Sequence, residues 1–301
     1  MDSSAAPFMD RRCAAGLTAV GACSLGLLCV WAFALRTGTG RGRDDAMLHG
    51  FIGLAAERVY SQLTDVALLA DPLPYALLGL VCIGVALLRH RKARALAIAI
   101  VLVGTGATTH ALKHLLAQPR YVDWLGHRQI EDVSWPSGHG TAAMTLVLCA
   151  IVVAPPAWRA AIALVGCAYA VGLAYATVAL TWHYPSDLFG GFLVAGLWVA
   201  LVLAVLARLE PEPERLPRLD WLIAAGAGGA LVAAALVGMG SERVSLDTAD
   251  RVTAVVGALA LAALALALAL ATIVAVSERR APAGRAASPR GVPRRRVPSR
   301  A

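Results

Sequence analysis

Residues 183–207 read His183-Tyr184-Pro185-Ser186-Asp187 and then LFGGFLVAGLWVALVLAVLA, a polar word running straight into an apolar stretch long enough to cross a bilayer. Such a stretch needs roughly 17–25 residues at 1.5 Å each. The same grammar occurs earlier, where Trp135-Pro136-Ser137-Gly138-His139 opens an apolar run to about residue 157. Further apolar stretches cover 13–35, 73–88, 95–117, 160–180, 220–239 and 252–276. The pattern predicts an all-α, polytopic membrane bundle of about eight transmembrane helices, six forming a core and two appended at the C-terminus.

Composition agrees. The 301 residues are 58% hydrophobic and 15% charged, with a mean hydropathy of +0.67, whereas a soluble domain carries about a quarter charged residues. The six cysteines lie in apolar segments without a CxxC pair, so they read as small buried hydrophobes and imply neither a disulfide framework nor a zinc site. No GxxxxGK[ST], GxGxxG, HExxH or DxD word occurs. Nucleotide, cofactor and metal are not implied, and nothing points to nucleic acid.

Most of the 27 lysines and arginines fall on one side if the N-terminus is cytoplasmic. Both termini are then inside, and Lys113–His139 shares the outer face with His183–Asp187. Ahead of the first span stands Arg11-Arg12; its apolar stretch exceeds the 7–15 residues of a signal-peptide core, which favours an uncleaved anchor. Organisation follows as an anchor with an outer amphipathic segment (1–72), a motif-bearing core (73–207), a proline-rich inner linker (208–219), a two-helix appendage (220–276) and a disordered basic cytoplasmic tail (277–301). Within the first part, 36–45 (RTGTGRGRDD) reads as an outer loop. Residues 46–70 read as an amphipathic helix, either lying in the membrane interface or packed on the rim of the bundle. The tail holds eight arginines against one glutamate, which suits either topological anchoring or contact with anionic lipid.

Ionisable groups at membrane depth are costly and usually functional. Lys113 and Arg120 lie seven apart, with Pro119 breaking the helix between them so that both cations can converge on one anion. The bland alternative for Lys113 is snorkelling. Pro136-Ser137-Gly138-His139 has the form of a serine-capped helix start, whose free amides make an anion site, with His139 placed to protonate a leaving group. A plain cap with an interfacial histidine is the alternative. His183 and Asp187 share one helical face, so the carboxylate can fix the imidazole tautomer and leave the other nitrogen as nucleophile; an aspartate cap is the competing reading. His110 and His114 are better explained by polar packing than by metal or proton transfer. A transporter using them lacks the half-repeats expected of one. His127 and Arg128 face a headgroup or water.

Taken in order, these words resemble the type-2 phosphatidic-acid phosphatase (PAP2) superfamily of integral-membrane lipid phosphatases, whose signature is K-x6-R-P, P-S-G-H and S-R-x5-H-x3-D. Here Lys113-x6-Arg120 lacks the final proline, Pro136–His139 matches in full, and His183-x3-Asp187 matches while Ala176 and Thr177 stand where Ser-Arg is expected. The resemblance implies a metal-independent hydrolysis of a lipid phosphate or diphosphate held in the membrane. His183 would attack phosphorus, Asp187 orient it and His139 protonate the departing oxygen. Lys113, Arg120, Ser137 and the Gly138 amide would hold the phosphoryl oxygens. The missing arginine leaves Thr177 and Arg128 as the residues that could compensate. It also leaves open an altered phosphatase, a phosphotransferase or a non-catalytic lipid-phosphate binder. Oligomeric state is not legible in the sequence.

Overall fold

The computed structural model describes residues 6–54, 60–127, 129–209, 214–215 and 248–278. Helix α1 (Ala6–Val30) continues through a π-helical turn (Trp31–Leu35). Then come α2 (Gly38–Leu54), α3 (Tyr60–Leu68), α4 (Pro72–Leu88), α5 (Lys92–Leu115), α6 (Gly138–Val153), α7 (Arg159–Ala179), α8 (Pro185–Leu209) and α9 (Thr248–Val276). Only a two-residue parallel pairing of Glu214–Arg215 with Ser277–Glu278 interrupts the all-α architecture among the described residues. Five helical stretches are long and apolar enough to span: Cys13–Leu35, Lys92–Leu115, Pro156–Ala179, Pro185–Leu209 and Ala249–Val276. A sixth exists if α3 and α4, bent by 50°, count as one. The apolar segment 220–239, Arg128 and the tail beyond 278 lie outside the described residues.

Helix α6 is the shortest of the apolar helices because Pro136 and Pro155-Pro156 bracket it. Its 16 residues reach about 24 Å, less than the hydrocarbon thickness, and nearly all of them are buried. It is the central post of the bundle, in contact with α4, α5, α7, α8 and α9. Its last carbonyls, which no helix bond can satisfy, receive arginines: Arg89 donates to Val153 O at 2.9 Å, Arg94 to Val152 O at 3.1 Å and the fully buried Arg159 to Ile151 O at 3.3 Å. Cations at a helix C-terminus also suit its dipole.

At the other end, α6 and α8 approach through glycine. A Cβ on Gly191 would lie 2.7 Å from Ser137 O and 2.8 Å from Thr141 N, so only glycine lets the two helix starts meet. The Ser137 amide donates to Asp187 O at 2.8 Å, stitching the two polar words together.

Three expectations change. The stretch 36–45 is helical from Gly38, because the Thr37 hydroxyl accepts the Gly40 amide at 2.9 Å and caps α2. The described residues of 46–70 fall in α2 and α3, and α2 takes the rim-packed form: Leu48 and Phe51 are buried, and the helix lies against α7 and α9. The cysteines are all unpaired, and Cys29 is exposed rather than buried.

Candidate active site

The start of α6, the start of α8 and the end of α5 converge on one cavity of about 650 Å³. His139 and His183 face each other across it with ring centroids 5.8 Å apart. Each imidazole has a carboxylate behind it. His183 Nδ1 is 3.4 Å from Asp187 Oδ2, a long contact, and His139 Nε2 is 3.3 Å from Asp71 Oδ1. Among the described residues Lys113 is the one lysine or arginine in the lining. Tyr75, Thr105, Thr109 and Thr141 add hydroxyls deeper in, with Thr109 donating to Thr141 at 3.2 Å and Tyr75 within 3.1 Å of Thr105.

Local sequence explains these placements. The Ser137 hydroxyl accepts the Gly140 amide at 3.1 Å, the expected serine cap. Gly138 opens α6 against the cavity wall, and a Cβ built on it would meet nothing within 4 Å. The unbonded first amides of α6 therefore border open space. His183 is aimed by the end of α7. There the Trp182 amide bonds Thr177 O and the Thr181 amide bonds Val178 O, each at 2.9 Å. Thr181 takes the left-handed φ of 61° that closes such a helix end. Two residues later the imidazole stands at the cavity. Asp187 then reaches back to the Tyr184 amide at 2.9 Å, half of a capping box.

Arg120 is placed differently from the cation of a phosphate cage. Its side chain is only 7% exposed and lies behind the wall. Nη2 donates to Asp187 Oδ1 at 2.7 Å and to Ser134 Oγ at 3.2 Å; Nη1 donates to Asp44 Oδ2 at 2.7 Å and to Ser186 Oγ at 3.3 Å. The guanidinium also stacks 3.6 Å above the Tyr184 ring. All four terminal N–H groups thus have partners. Ser137 is fully buried and occupied as a cap. Thr177 is fully buried, its hydroxyl turned back onto Leu173 O and Ala174 O at 3.1 Å each. Of the residues singled out in the sequence, His139, His183, Lys113 and Gly138 line the cavity. Asp187, Arg120 and Ser137 stand behind it, and Thr177 faces its own helix. His110 also lines the cavity and stacks edge-on with His114 at 4.5 Å, while His127 is exposed.

Two carboxylates escaped the sequence reading. Asp71 precedes Pro72 and occupies the N-cap position of α4, yet makes no cap bond and turns to His139 instead. Asp44 sits inside the glycine-rich stretch read as a loop. Burial, helped by the Asp187 charge, pushes it up to about 6 against the pull of Arg120 and Ser186.

Residues 94–210 match the family model of the PAP2 superfamily. No curated protein and no solved structure matches the chain. The PAP2 stretch contains Lys113, both histidines and Asp187, and it points to phosphatase or phosphotransferase chemistry on phosphorylated substrates. Its apolar helices make the protein a membrane protein. Asp44, Asp71 and α9 lie outside the PAP2 match, so the cavity and its surroundings draw on more of the chain than the superfamily segment.

Proposed function

We propose that this protein is an integral-membrane phosphatase of lipid phosphates or diphosphates, such as a polyprenyl diphosphate, phosphatidate or phosphatidylglycerol phosphate. It would act on the outer face of a bacterial-type inner membrane, with both termini cytoplasmic. The observation that carries the reading is the pair of carboxylate-backed histidines 5.8 Å apart across a cavity bordered by Lys113 and the α6 amides. His183, with Nδ1 toward Asp187, attacks phosphorus through Nε2. The P–O bond to the leaving group breaks, and His139 gives its proton to the departing oxygen, the lipid alkoxide of a monophosphate or the bridging oxygen of a diphosphate, which leaves as lipid phosphate. Water then attacks the phosphohistidine, His139 takes the water's proton, the P–N bond breaks and phosphate leaves. Lys113 and the first amides of α6 offset the charge on the phosphoryl oxygens. No step requires a metal or cofactor.

A second reading, a phosphotransferase or a lipid-phosphate binder without turnover, is favoured by the cation count: Thr177 faces its own helix and Arg120 is occupied by carboxylates. The test is phosphate release by the purified protein in detergent with EDTA, over a panel of lipid monophosphates and diphosphates. Wild type should release phosphate, and His183→Ala should lower the rate by about 10³-fold or more, as loss of a nucleophile does. Release from no lipid, or an unchanged rate in His183→Ala, overturns the phosphatase reading.

A further inference from the structure

Arg120 poses a problem for the proposed reaction. A guanidinium 2.7 Å from Asp187 Oδ1 cancels most of the charge of the carboxylate behind His183. Yet phosphoryl transfer to Nε2 turns the imidazole into a cation, with Nδ1–H still facing Asp187. A neutralised partner would do little to stabilise that cation in a water-poor site.

Asp44 supplies what is missing. It is 3% exposed and meets three donors: Arg120 Nη1 at 2.7 Å and Ser186 Oγ at 2.6 Å on Oδ2, and the Ser186 amide at 2.9 Å on Oδ1. Arg120 is therefore shared between two carboxylates, and the buried group Asp44–Arg120–Asp187 carries one net negative charge. The Ser186 amide lies in the first turn of α8, one residue before Asp187, so the same carboxylate also fixes the helix start that carries the His183–Asp187 pair. We propose that Asp44 is a positioning residue of the reaction, drawing Arg120 off Asp187 and setting the first turn of α8 so that Asp187 keeps charge for His183. Asp44 comes from α2, outside the PAP2 match, which makes that rim helix part of the catalytic apparatus.

The inference rests on the phosphatase reading, and its test separates the two. Asp44→Asn and Asp44→Glu are purified in detergent, checked for monodisperse elution and thermal midpoint, and assayed on the best lipid phosphate of the panel. Asp44→Asn should lower kcat by about 10-fold or more while KM stays within about 3-fold, the signature of an interaction realised in the transition state. Asp44→Glu, which keeps the charge, should recover part of that kcat. A kcat within about 2-fold of wild type in Asp44→Asn, a loss confined to KM, or a Glu variant no better than Asn overturns the proposal. Failure of both variants to fold makes Asp44 a structural brace and overturns it as well. If wild type hydrolyses no lipid, the phosphatase reading falls, and orthovanadate, a mimic of the phosphoryl transition state, decides the role of Asp44. A thermal shift by vanadate in wild type that is lost in Asp44→Asn supports the inference, and equal shifts or none in both overturn it.

Discussion

At the scale of single residues, the site divides four charged partners between two histidines. His183 has Asp187, and behind it Arg120 and Asp44; the carboxylate at His139 is Asp71. Burial and the neighbouring His183 disfavour the protonated imidazole of His139, Asp71 opposes them, and the proposed reaction needs that proton. Asp71→Asn should therefore lower phosphate release at neutral pH by about 10-fold, within the range of general-acid contributions. Its KM should be nearly unchanged, and steady-state kinetics on wild type and variant check this. Asp44 makes a separate prediction about stability. Its carboxyl is pushed up to about 6 by burial first and by Asp187, against Arg120 and the Ser186 donors; the Tyr184 hydroxyl also feels its charge. The native state then holds the proton more tightly than the unfolded chain. Stability from this group is fully present below about pH 4 and is lost as pH rises through about 6. Asp44→Asn cannot ionise and lacks that slope. The thermal midpoint of wild type relative to Asp44→Asn should fall between pH 4 and 7, and a flat difference would contradict the assignment. A group that costs stability at neutral pH and still grips Arg120 fits a functional role.

At the scale of elements, the helix ends carry the precision. Among the described residues two of them close with a non-glycine residue in the left-handed region: Thr181 at φ 61°, before His183, and His90 at φ 57°, between α4 and α5. Around His90 the Arg91 amide bonds Ala86 O at 2.8 Å and the His90 amide bonds Leu87 O at 2.9 Å, the same closure as at the end of α7. Left-handed backbone costs a side chain about 1–2 kcal/mol, partly offset because glycine loses more entropy on folding. His90→Gly, on an exposed turn away from the cavity, should therefore stabilise the protein by about 0.5–1 kcal/mol. Thermal unfolding in detergent reads that gain directly, and a lower midpoint would show that the turn depends on the imidazole. Helix α6 is held at both ends, by the serine cap and Asp187 contact at one and by Arg89, Arg94 and Arg159 at the other. A short post fixed at both termini is a rigid support for His139.

At the scale of the whole molecule, the cavity depends on parts far apart in the chain. Helix α9 packs against α2, and His49 Nδ1 is 2.7 Å from Asp250 Oδ2. The two helices touch at Gly50, where a Cβ would come within 2.7 Å of Ala254 Cβ. Six residues earlier on the same helix stands Asp44. Gly50→Val should push α2 off α9, cost about 1–3 kcal/mol of stability as overpacking does, and lower phosphate release along with it. Thermal midpoint and specific activity measured together check the coupling. Full specific activity in a destabilised variant would separate α2 from the site. On the opposite side α1 lies along α8, close enough that a Cβ on Gly16 would sit 2.7 Å from Ala204 Cβ. The N-terminal helix thus backs the helix that begins at His183–Asp187.

The residues legible in the sequence were those whose chemistry is local. Apolar runs of spanning length announce membrane helices because no polar backbone group can go unsatisfied in lipid. Ser137-Gly138 announces a helix start because the cap bond closes within three residues. His183 and Asp187 announce a shared face because four residues make one turn. Lys113, His139, His183 and Asp187 could be named on that basis. Asp71 and Asp44 could not, since their partners are 68 and 76 residues away in the chain and no periodicity or spacing links them. The same holds for Arg120, a cation whose sequence context fits a phosphate as well as it fits a carboxylate. Only the packing of α2 and α8 around Arg120 decides which anion it meets, because a buried guanidinium takes the partners that the surrounding helices bring within hydrogen-bond reach.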